Sequence, residues 1–423
     1  MVRAAAMTDR IVPSQASIAS FLKFGYFIEY STERCPIHYE GIDREAYRAL
    51  PREQLLIEGA VKLRETFAQL FQSGREDVVP ISGGLDSRLI LCALLEHTEA
   101  RNIHTYTYGI PGGYDYELGT HLAKVAGTRH VAFPMNRTTY HRDELVEVAK
   151  RMDCQAVLFY NQPLFAVERL FGRSRFWSGY VGDAVAGSYL FEVPSATLLE
   201  AKRRHLGKRR LVTSYRLSPV EDEQLVPYMA GGRLSPEILS WDEQVLFDEA
   251  VAKFTVAHVL WKGFEYVTPL INSPWMNFMF SVPNQFRLGT QLMIDIGRKT
   301  FPRLFEQPSK NRLGHDFQAS ERVLKATFWL NRVRKLAHQF VPSVNWPYSQ
   351  YNDFDEGIRT SADMRGVVRD AIQALRRRGI CDWVDFDGIW KRHDRRQRNH
   401  GDALVTLASL ELVLQAREER ASA

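Results

Sequence analysis

The sequence has few cysteines, no long apolar run and no large excess of charge of either sign. Its 423 residues include 4 cysteines with no C-x-x-C pair among them, which excludes a disulfide framework and argues against a structural zinc site. Residues 1–10 are not followed by an apolar stretch of signal-peptide length, and residues 89–95 are far too short to span a membrane. We therefore expect reduced, partly buried thiols in a cytoplasmic protein. The cysteines are Cys35, Cys92, Cys154 and Cys381.

The charge balance is mild. There are 55 Lys+Arg and 50 Asp+Glu, for a net charge of +5, which does not by itself indicate a nucleic-acid binder. Hydrophobic content of 45% and aromatic content of 12% exclude a disordered, collagen-like or coiled-coil chain. No internal repeat or low-complexity linker divides the sequence, so domain boundaries rest on changes of hydrophobic pattern.

Hydrophobic periodicity predicts a nucleotide-binding type of fold. Apolar residues recur every three or four positions over residues 51–74, which is typical of an amphipathic helix. A buried strand, a glycine turn, a helix and a second strand are predicted next. This order is a βαβ unit, and it predicts an α/β fold with a doubly wound parallel sheet. The predicted segments are residues 77–81, 82–84, 86–98 and 103–108.

The pattern changes along the chain. A helix over residues 116–126 and strands over residues 130–133 and 175–177 continue the α/β part, and helical patterns dominate after about residue 195. We interpret residues 1–50 as a short N-terminal segment, and residues 51–423 as an ATP-binding synthetase domain with a mainly helical C-terminal half. The clearest late helices are predicted over residues 241–261, 272–281 and 403–417, the last of them largely buried.

A glycine-rich turn carries the strongest chemical signal. Ser82-Gly83-Gly84-Leu85-Asp86-Ser87 follows a predicted strand and opens a helix. Glycines let the backbone approach a phosphate, while amide N–H groups, serine hydroxyls and the helix N-terminus favour an anion. The turn lacks the lysine of a Walker A loop and the spacing of a dinucleotide-binding loop. It predicts a phosphate-binding loop of another type; the alternative is a tight turn that uses glycine for positive φ.

This motif is similar to that of the PP-loop ATP pyrophosphatases, and the chain most resembles the synthetase domain of asparagine synthetases. Residues 106–109 (YTYG), 178–187 (SGYVGDAVAG) and 268–272 (TPLIN) carry the resemblance in order. It implies a ligase that binds ATP and Mg²⁺ and forms an acyl-adenylate with release of pyrophosphate, as in asparagine biosynthesis. The ATP- and pyrophosphate-binding residues that it implies are Ser82, Gly83, Gly84, Leu85, Asp86, Ser87, Tyr108, Gly109, Gly179 and Gly182.

Cations are needed for this chemistry, because a carboxylate that attacks the α-phosphorus of ATP approaches an anion. Asp86 and Asp183 offer hard oxygen ligands for Mg²⁺ and would meet if their turns face each other. The resemblance implies that Lys310, with Arg298 or Lys299, stabilises the departing pyrophosphate. The alternatives are a helix cap for Asp86, a turn residue for Asp183 and a solvated lysine for Lys310.

The resemblance fails at several positions. Val2 stands where the glutaminase domain of that family has its nucleophilic cysteine, and residues 17–30 resemble only the tail of that domain. We therefore expect no glutamine hydrolysis, and an amine from free ammonia, a partner amidotransferase subunit or an amine-bearing substrate. Tyr180, Ala184 and Asn272 replace acidic residues of the family, which puts aspartate as the substrate in doubt.

Tyr180 has two interpretations. In the similar β-lactam synthetases a tyrosine works with a glutamate as general base, which requires a depressed pKa of the tyrosine; the alternative is an aromatic side chain that lines the pocket.

Three other functions stay open: a β-lactam or macrolactam-type cyclase, an RNA-modifying enzyme that uses the basic clusters at residues 202–210 and 391–398, and a non-catalytic scaffold. Arg88 is either a ligand of phosphate or substrate or an exposed arginine. We expect a small carboxylic acid and an amine as substrates, and neither membrane nor nucleic acid as a partner.

Overall fold

The computed structural model of the protein describes residues 13–30, 32, 37–341 and 351–422. Five parallel strands form one sheet in the order β3-β2-β1-β4-β5. The predicted α/β fold with a doubly wound parallel sheet is therefore confirmed. The strands are β1 (Asp77–Pro80), β2 (Ile103–Gly109), β3 (Arg129–Pro134), β4 (Arg175–Trp177) and β5 (Glu265–Val267).

Helices flank this sheet and fill the C-terminal half. They are α1 (Gln15–Phe24), α2 (Arg52–Leu70), α3 (Asp86–Leu94), α4 (Tyr114–Ala126), α5 (Arg142–Arg151), α6 (Leu164–Phe171), α7 (Gly182–Val185), α8 (Leu198–Lys208), α9 (Asp222–Leu225), α10 (Trp241–Val245), α11 (Val256–Val259), α12 (Trp275–Ser281), α13 (Asn284–Arg287), α14 (Gln291–Thr300), α15 (Pro302–Phe305), α16 (Glu321–Phe340), α17 (Phe354–Thr360), α18 (Ala362–Arg378), α19 (Phe386–Asp394) and α20 (Gly401–Ser422). A π-helical segment, Leu246–Thr255, joins α10 to α11.

The strand order creates a crevice between β1 and β4. From β1 the chain adds β2 and β3 on one side of the sheet, and β4 and β5 lie on the other side. The connections from β1 to β2 and from β4 to β5 therefore run towards opposite sides of the sheet. Ligands of parallel sheets bind at such a switch point, outside the carboxyl ends of the strands. The fold thus places both predicted glycine loops at one crevice.

A buried ion pair fixes the register of these two strands. Asp77 of β1 is paired with Arg175 of β4 in the sheet, and their side chains form an ion pair of 2.8 Å. The indole N–H of Trp177 donates to the same carboxylate at 2.7 Å. Because a buried charge left without its partner is strongly destabilising, a shift of β4 along β1 is costly, and the two loops keep their relative position.

Of the four hydrophobic clusters among the described residues, the two largest hold many of the helices. One surrounds the sheet and includes α2, α3, α12 and α14; the other is built on α20, which packs against α5, α17 and α18. The helix α20 is buried almost continuously as far as Ala416, as its sequence predicted. Its buried charge, Glu411, pairs with Arg378 at 2.6 Å.

The described part of residues 1–50 packs onto both clusters. The helix α1 contacts α20, while Tyr39 and Tyr47 lie against the cluster around the sheet. The division at residue 50 stays a prediction, and Val2 and Cys35 lie outside the described residues.

The three described cysteines are free and buried, and burial raises the pKa of Cys92 to about 12. Within the described ranges, every helix is too short or too polar to cross a bilayer.

Candidate functional site

The loop after β1 is held by its own hydrogen bonds. The amide of Gly84 donates to Ser82 Oγ at 3.2 Å, and the amide of Ser82 donates to Ser87 Oγ at 3.2 Å. Neither Gly83 nor Gly84 has a positive φ. Instead, a Cβ at Gly83 would lie 2.9 Å from Leu118. Gly83 is therefore favoured by close packing, and neither glycine serves the positive φ of a simple tight turn.

The loop after β4 lies directly against the first loop. A Cβ at Gly179 would lie 2.8 Å from Asp86 Cβ, and one at Gly182 would lie 3.0 Å from Asp86 Cγ. Val181, between these glycines, has a φ of 48°, a conformation that costs energy in a β-branched residue. The loop thus combines backbone strain at Val181 with a close approach of its glycines to Asp86.

Asp86 and Asp183 meet where the two loops touch. The amide of Asp183 donates to Asp86 Oδ2 at 3.2 Å, while the buried Asp86 Oδ1 has no partner among the described residues. Burial, followed by the nearby Asp183 carboxylate, raises the pKa of Asp86 well above its usual range, and burial also raises the pKa of Asp183. Two crowded carboxylates with an unused oxygen fit a hard divalent cation.

The donor set suits Mg²⁺ better than a cation that needs an all-protein shell. No group of three or more His, Cys, Asp or Glu side chains arranged for a metal occurs in the described part of the chain. Mg²⁺ commonly takes one or two carboxylates and completes its shell with water and phosphate oxygens. Asp86 and Asp183 therefore fit Mg²⁺ that is bound together with a phosphate ligand.

Lys310 lies beside the first loop. Its amide donates to the Gly83 carbonyl at 3.0 Å, and its Nζ pairs with Asp115 at 2.9 Å. The amide of Gly83 donates to the same carboxylate at 3.1 Å. Burial disfavours the charge on Lys310, but Tyr351 and Asp115 outweigh it and raise the pKa of Lys310. The lysine is thus held as a cation next to Gly84.

Arg88 acts as an anchor for the segment that carries Lys310. Its side chain is fully buried, and its guanidinium donates to the carbonyls of Leu304, Gln307 and Pro308 at 3.1, 2.8 and 2.6 Å. Both sequence interpretations of Arg88, as a ligand and as an exposed arginine, are therefore wrong. Arg88 is a positioning residue.

Arg298 and Lys299 lie away from the loops. Both are in the last turn of α14, which packs on α2. Lys299 pairs with Glu53 in the first turn of α2 at 2.9 Å, and the Arg298 guanidinium lies 5.9 Å from the Phe317 ring. The packing of α14 on α2 thus directs these cations to other partners, and the structure does not bring them to the pyrophosphate loops.

A cavity of about 450 Å³ opens above the two loops. Tyr108 lines it, with its ring 4.5 Å from that of Tyr351, and burial raises the pKa of both tyrosines. The sequence-predicted residues that line the cavity are Ser82, Asp86, Tyr108, Gly179, Tyr180 and Asp183. Those that lie in the adjoining loops, or at the ends of the strands and helices next to them, are Gly83, Gly84, Leu85, Ser87, Gly109, Gly182 and Lys310.

Tyr180 is a buried aromatic residue of the cavity wall. It is 1% exposed, belongs to the hydrophobic cluster around the sheet, and lines the cavity. The amide of Tyr180 donates to Ser178 Oγ at 3.2 Å, which fixes the start of the loop. The aromatic lining that the sequence left as one alternative is therefore present, and a proton-transfer role would be additional to it.

Arg209 and His258 are among the residues of this cavity that sequence reasoning missed. Arg209 lines it, although the sequence placed it in a basic cluster considered for RNA binding. His258 also lines it, but Val157 N donates to its Nε2 at 3.3 Å, and its Nδ1 contacts the Phe254 carbonyl at 2.9 Å. Burial lowers the pKa of His258 to about 4. Since both ring nitrogens are used by the backbone, His258 is a neutral wall residue. In the sequence, the spacing of four residues between Phe254 and His258 could have indicated that both lie on one face of a helix.

Many of the basic side chains are paired within the protein. In the first basic cluster, Arg203 pairs with Glu223 at 2.6 Å and Arg204 with Asp242 at 3.3 Å. In the second, Arg396 pairs with Glu356 at 2.5 Å. These pairs favour charged faces that are satisfied internally over a surface for RNA phosphates.

Comparison with known proteins gives one family and one curated relative. Residues 60–248 match the family model described as asparagine synthase, a range that contains both glycine loops. Asparagine synthetase [glutamine-hydrolyzing] 2 of Arabidopsis thaliana is 29% identical over 126 residues, which is 27% of this chain and 22% of that relative. The chain thus matches about a fifth of the relative's length.

Proposed function

We propose, on the premise that residues 60–248 form an asparagine synthase domain, that this protein is a Mg-ATP-dependent amide ligase that releases AMP and pyrophosphate. The carboxylate of a small acid attacks the α-phosphorus of ATP, and the bond from that phosphorus to the bridging oxygen of pyrophosphate breaks. An amine then attacks the acyl carbon, and AMP leaves with the electron pair. The observation that carries this proposal is the contact between Asp86 and Asp183 across two glycine loops.

Three features of the chain support the first step. Asp86 and Asp183 would hold Mg²⁺, and bound there it would neutralise phosphate charge in the attack. The first amides of α3 have no partners within their helix, so they can donate to phosphate oxygens at the crevice. Lys310, kept charged beside Gly84, can stabilise the departing pyrophosphate.

The nucleotide base is assigned to the tyrosine side of the cavity. Tyr108 and Tyr351 present adjacent rings, and an adenine ring packs favourably against aromatic faces. Gly109 ends β2 with a φ of 149°, and a Cβ there would lie 3.5 Å from Tyr116. That contact is an ordinary one, so glycine is favoured here by its positive φ, a conformation that residues with a side chain rarely adopt.

The second step needs a group that accepts a proton from the amine. Tyr180 is the candidate, because it lines the cavity and His258 already uses both ring nitrogens. The amine donor is proposed to be ammonia or an amine-bearing substrate, and the expectation that glutamine is not hydrolysed stays a prediction. A separate amidotransferase subunit is the third possible source of amine.

The test is acid-dependent exchange of pyrophosphate into ATP by the purified protein with Mg²⁺, followed by mass detection of the amide after addition of ammonium or glutamine. We expect exchange with a suitable acid, and amide formation with ammonium but not with glutamine. Asp86→Asn should abolish exchange, whereas Asp295→Asn, which breaks a surface pair with Arg52, should retain it. Normal exchange by Asp86→Asn would refute the metal assignment, and amide formation without AMP would refute the mechanism.

A further inference from the structure

One stretch of the cavity wall is largely apolar. The π-helical segment Leu246–Thr255 and the following α11 supply much of this wall. The π-helix is rare in proteins, and where it occurs it is frequently found at functional sites. The aliphatic and aromatic side chains that they place on the cavity are Leu246, Ala250, Val251, Phe254 and Val259.

Arg209 is the exception on this side of the cavity. It is the only Lys or Arg among the described residues that line the cavity, and its guanidinium lies 5.8 Å from the Phe254 ring. In the part of the chain that the structure describes, its guanidinium has no carboxylate partner, unlike those of Arg203 and Arg204. Asp86 and Asp183 line the same cavity as Arg209. The cation therefore lies near the metal-binding pair and faces space that a ligand can occupy.

Each carboxylate that lines the cavity in the described ranges already has a partner or an assigned ligand. Those that line it in the described ranges are Asp86, Asp115 and Asp183. Asp115 pairs with Lys310 at 2.9 Å, and the other two form the pair assigned to Mg²⁺. A substrate ammonium group would thus lack an anionic partner, and burying a charge without a partner is costly.

We propose that the acid activated at this site is a dicarboxylate without an α-ammonium group. One carboxylate attacks ATP, the second pairs with Arg209, and the carbon chain between them lies against the π-helical wall. This inference rests on the proposed function and assigns its substrate class. Arg209 is then a specificity-determining residue, because a monocarboxylate leaves its guanidinium unpaired and an α-amino acid adds a cation with no partner.

Matched acids test the substrate class in the exchange assay. The series comprises the linear dicarboxylates from succinate to suberate, the 2-amino counterpart of each, and the corresponding monocarboxylates. We expect exchange with one or more dicarboxylates at a kcat/KM at least about tenfold above that of its 2-amino and monocarboxylate analogues. Exchange that prefers aspartate or another 2-amino acid overturns this inference and leaves the amide-ligase function standing. Exchange with no acid overturns both.

Adjacent arginines provide a matched pair of variants. Arg209→Met keeps an apolar stem but removes the charge, and Arg210→Met makes the same change at a side chain that lines a different cavity. We expect Arg209→Met to raise the KM for the dicarboxylate by about tenfold to a hundredfold, with the KM for ATP unchanged and Arg210→Met like the wild type. A rise in the KM for ATP with an unchanged KM for the acid would place Arg209 at the nucleotide and overturn the proposal.

Discussion

Replacing Arg88 by methionine should destabilise the protein and displace Lys310. Arg88 is fully buried and donates to the carbonyls of Leu304, Gln307 and Pro308. Each hydrogen bond from a charged donor contributes about 1.5–3 kcal/mol. The variant no longer buries a charge, which offsets part of the loss, so we expect the free energy of unfolding to fall by about 3–5 kcal/mol. Methionine fills the space of the arginine stem but leaves the carbonyls of Gln307 and Pro308 without their donor, while that of Leu304 keeps the amide of Gln307 at 3.2 Å.

Urea unfolding and the exchange assay together test this reasoning. A suitable control is Arg378→Met, which removes the pairs with Glu411 and Glu418 on the α20 side of the molecule. Under conditions where both variants are folded, Arg88→Met should raise the KM for pyrophosphate and the control should not. Of the two arginines, Arg88 is the one that holds the segment before Lys310. An unchanged urea midpoint for Arg88→Met would refute the anchoring role, and a lower midpoint with unchanged kinetics would refute the link to Lys310.

Three further predictions concern side chains of the cavity. Asp86→Asn removes a like-charge repulsion on the order of 1–3 kcal/mol at an effective dielectric of about 20, so thermal unfolding without Mg²⁺ should show a gain of this size; a loss would contradict the carboxylate pair. Tyr180→Phe should keep exchange but slow amide formation by about a hundredfold, and an equal overall rate would exclude the general-base role. His258 has a pKa of about 4 when folded against 6.5 as its ordinary value, so its contribution to stability is present above pH 6.5 and is lost as the pH falls through 4. His258→Gln should flatten the urea-midpoint profile across this window, and a profile as steep as that of the wild type would assign the loss to other groups.

The sequence could predict the crevice because short-range signals determine it. A strand, a glycine turn and a helix in succession place Asp86 at the start of α3, next to the carboxyl end of β1, and the parallel sheet then brings Asp183 next to it. The strand β5 was missed, since Glu265–Val267 has three residues and no continuous apolar run. The segment at residues 246–255 was predicted as part of a helix, but its π-helical hydrogen bonding follows from tertiary packing that local periodicity does not encode.

The contacts that long charged side chains make in the fold were the hardest feature to predict from the sequence. Arg88 and Arg209 are both charged residues at helix ends, yet one is fully buried under three carbonyls and the other lines a cavity. Nothing in the local pattern separates them, because an arginine stem can cross several ångströms of apolar surface before its charge finds a partner. Arg298 and Lys299 show the converse, since their sequence position suggested the site and the packing of α14 directs them elsewhere.

The central position of α20 has a consequence for synthesis of the protein. Ser409 accepts a hydrogen bond from the amide of Leu158, although 251 positions separate the two residues. Contacts at such separation form late, because a long loop must close before they stabilise anything. While the ribosome still holds α20, the apolar faces of α5 and α18 are made but uncovered, and such surfaces bind chaperones or aggregate. The helical half therefore completes its folding only after the chain has been translated through α20, whereas the sheet and its two glycine loops can assemble earlier.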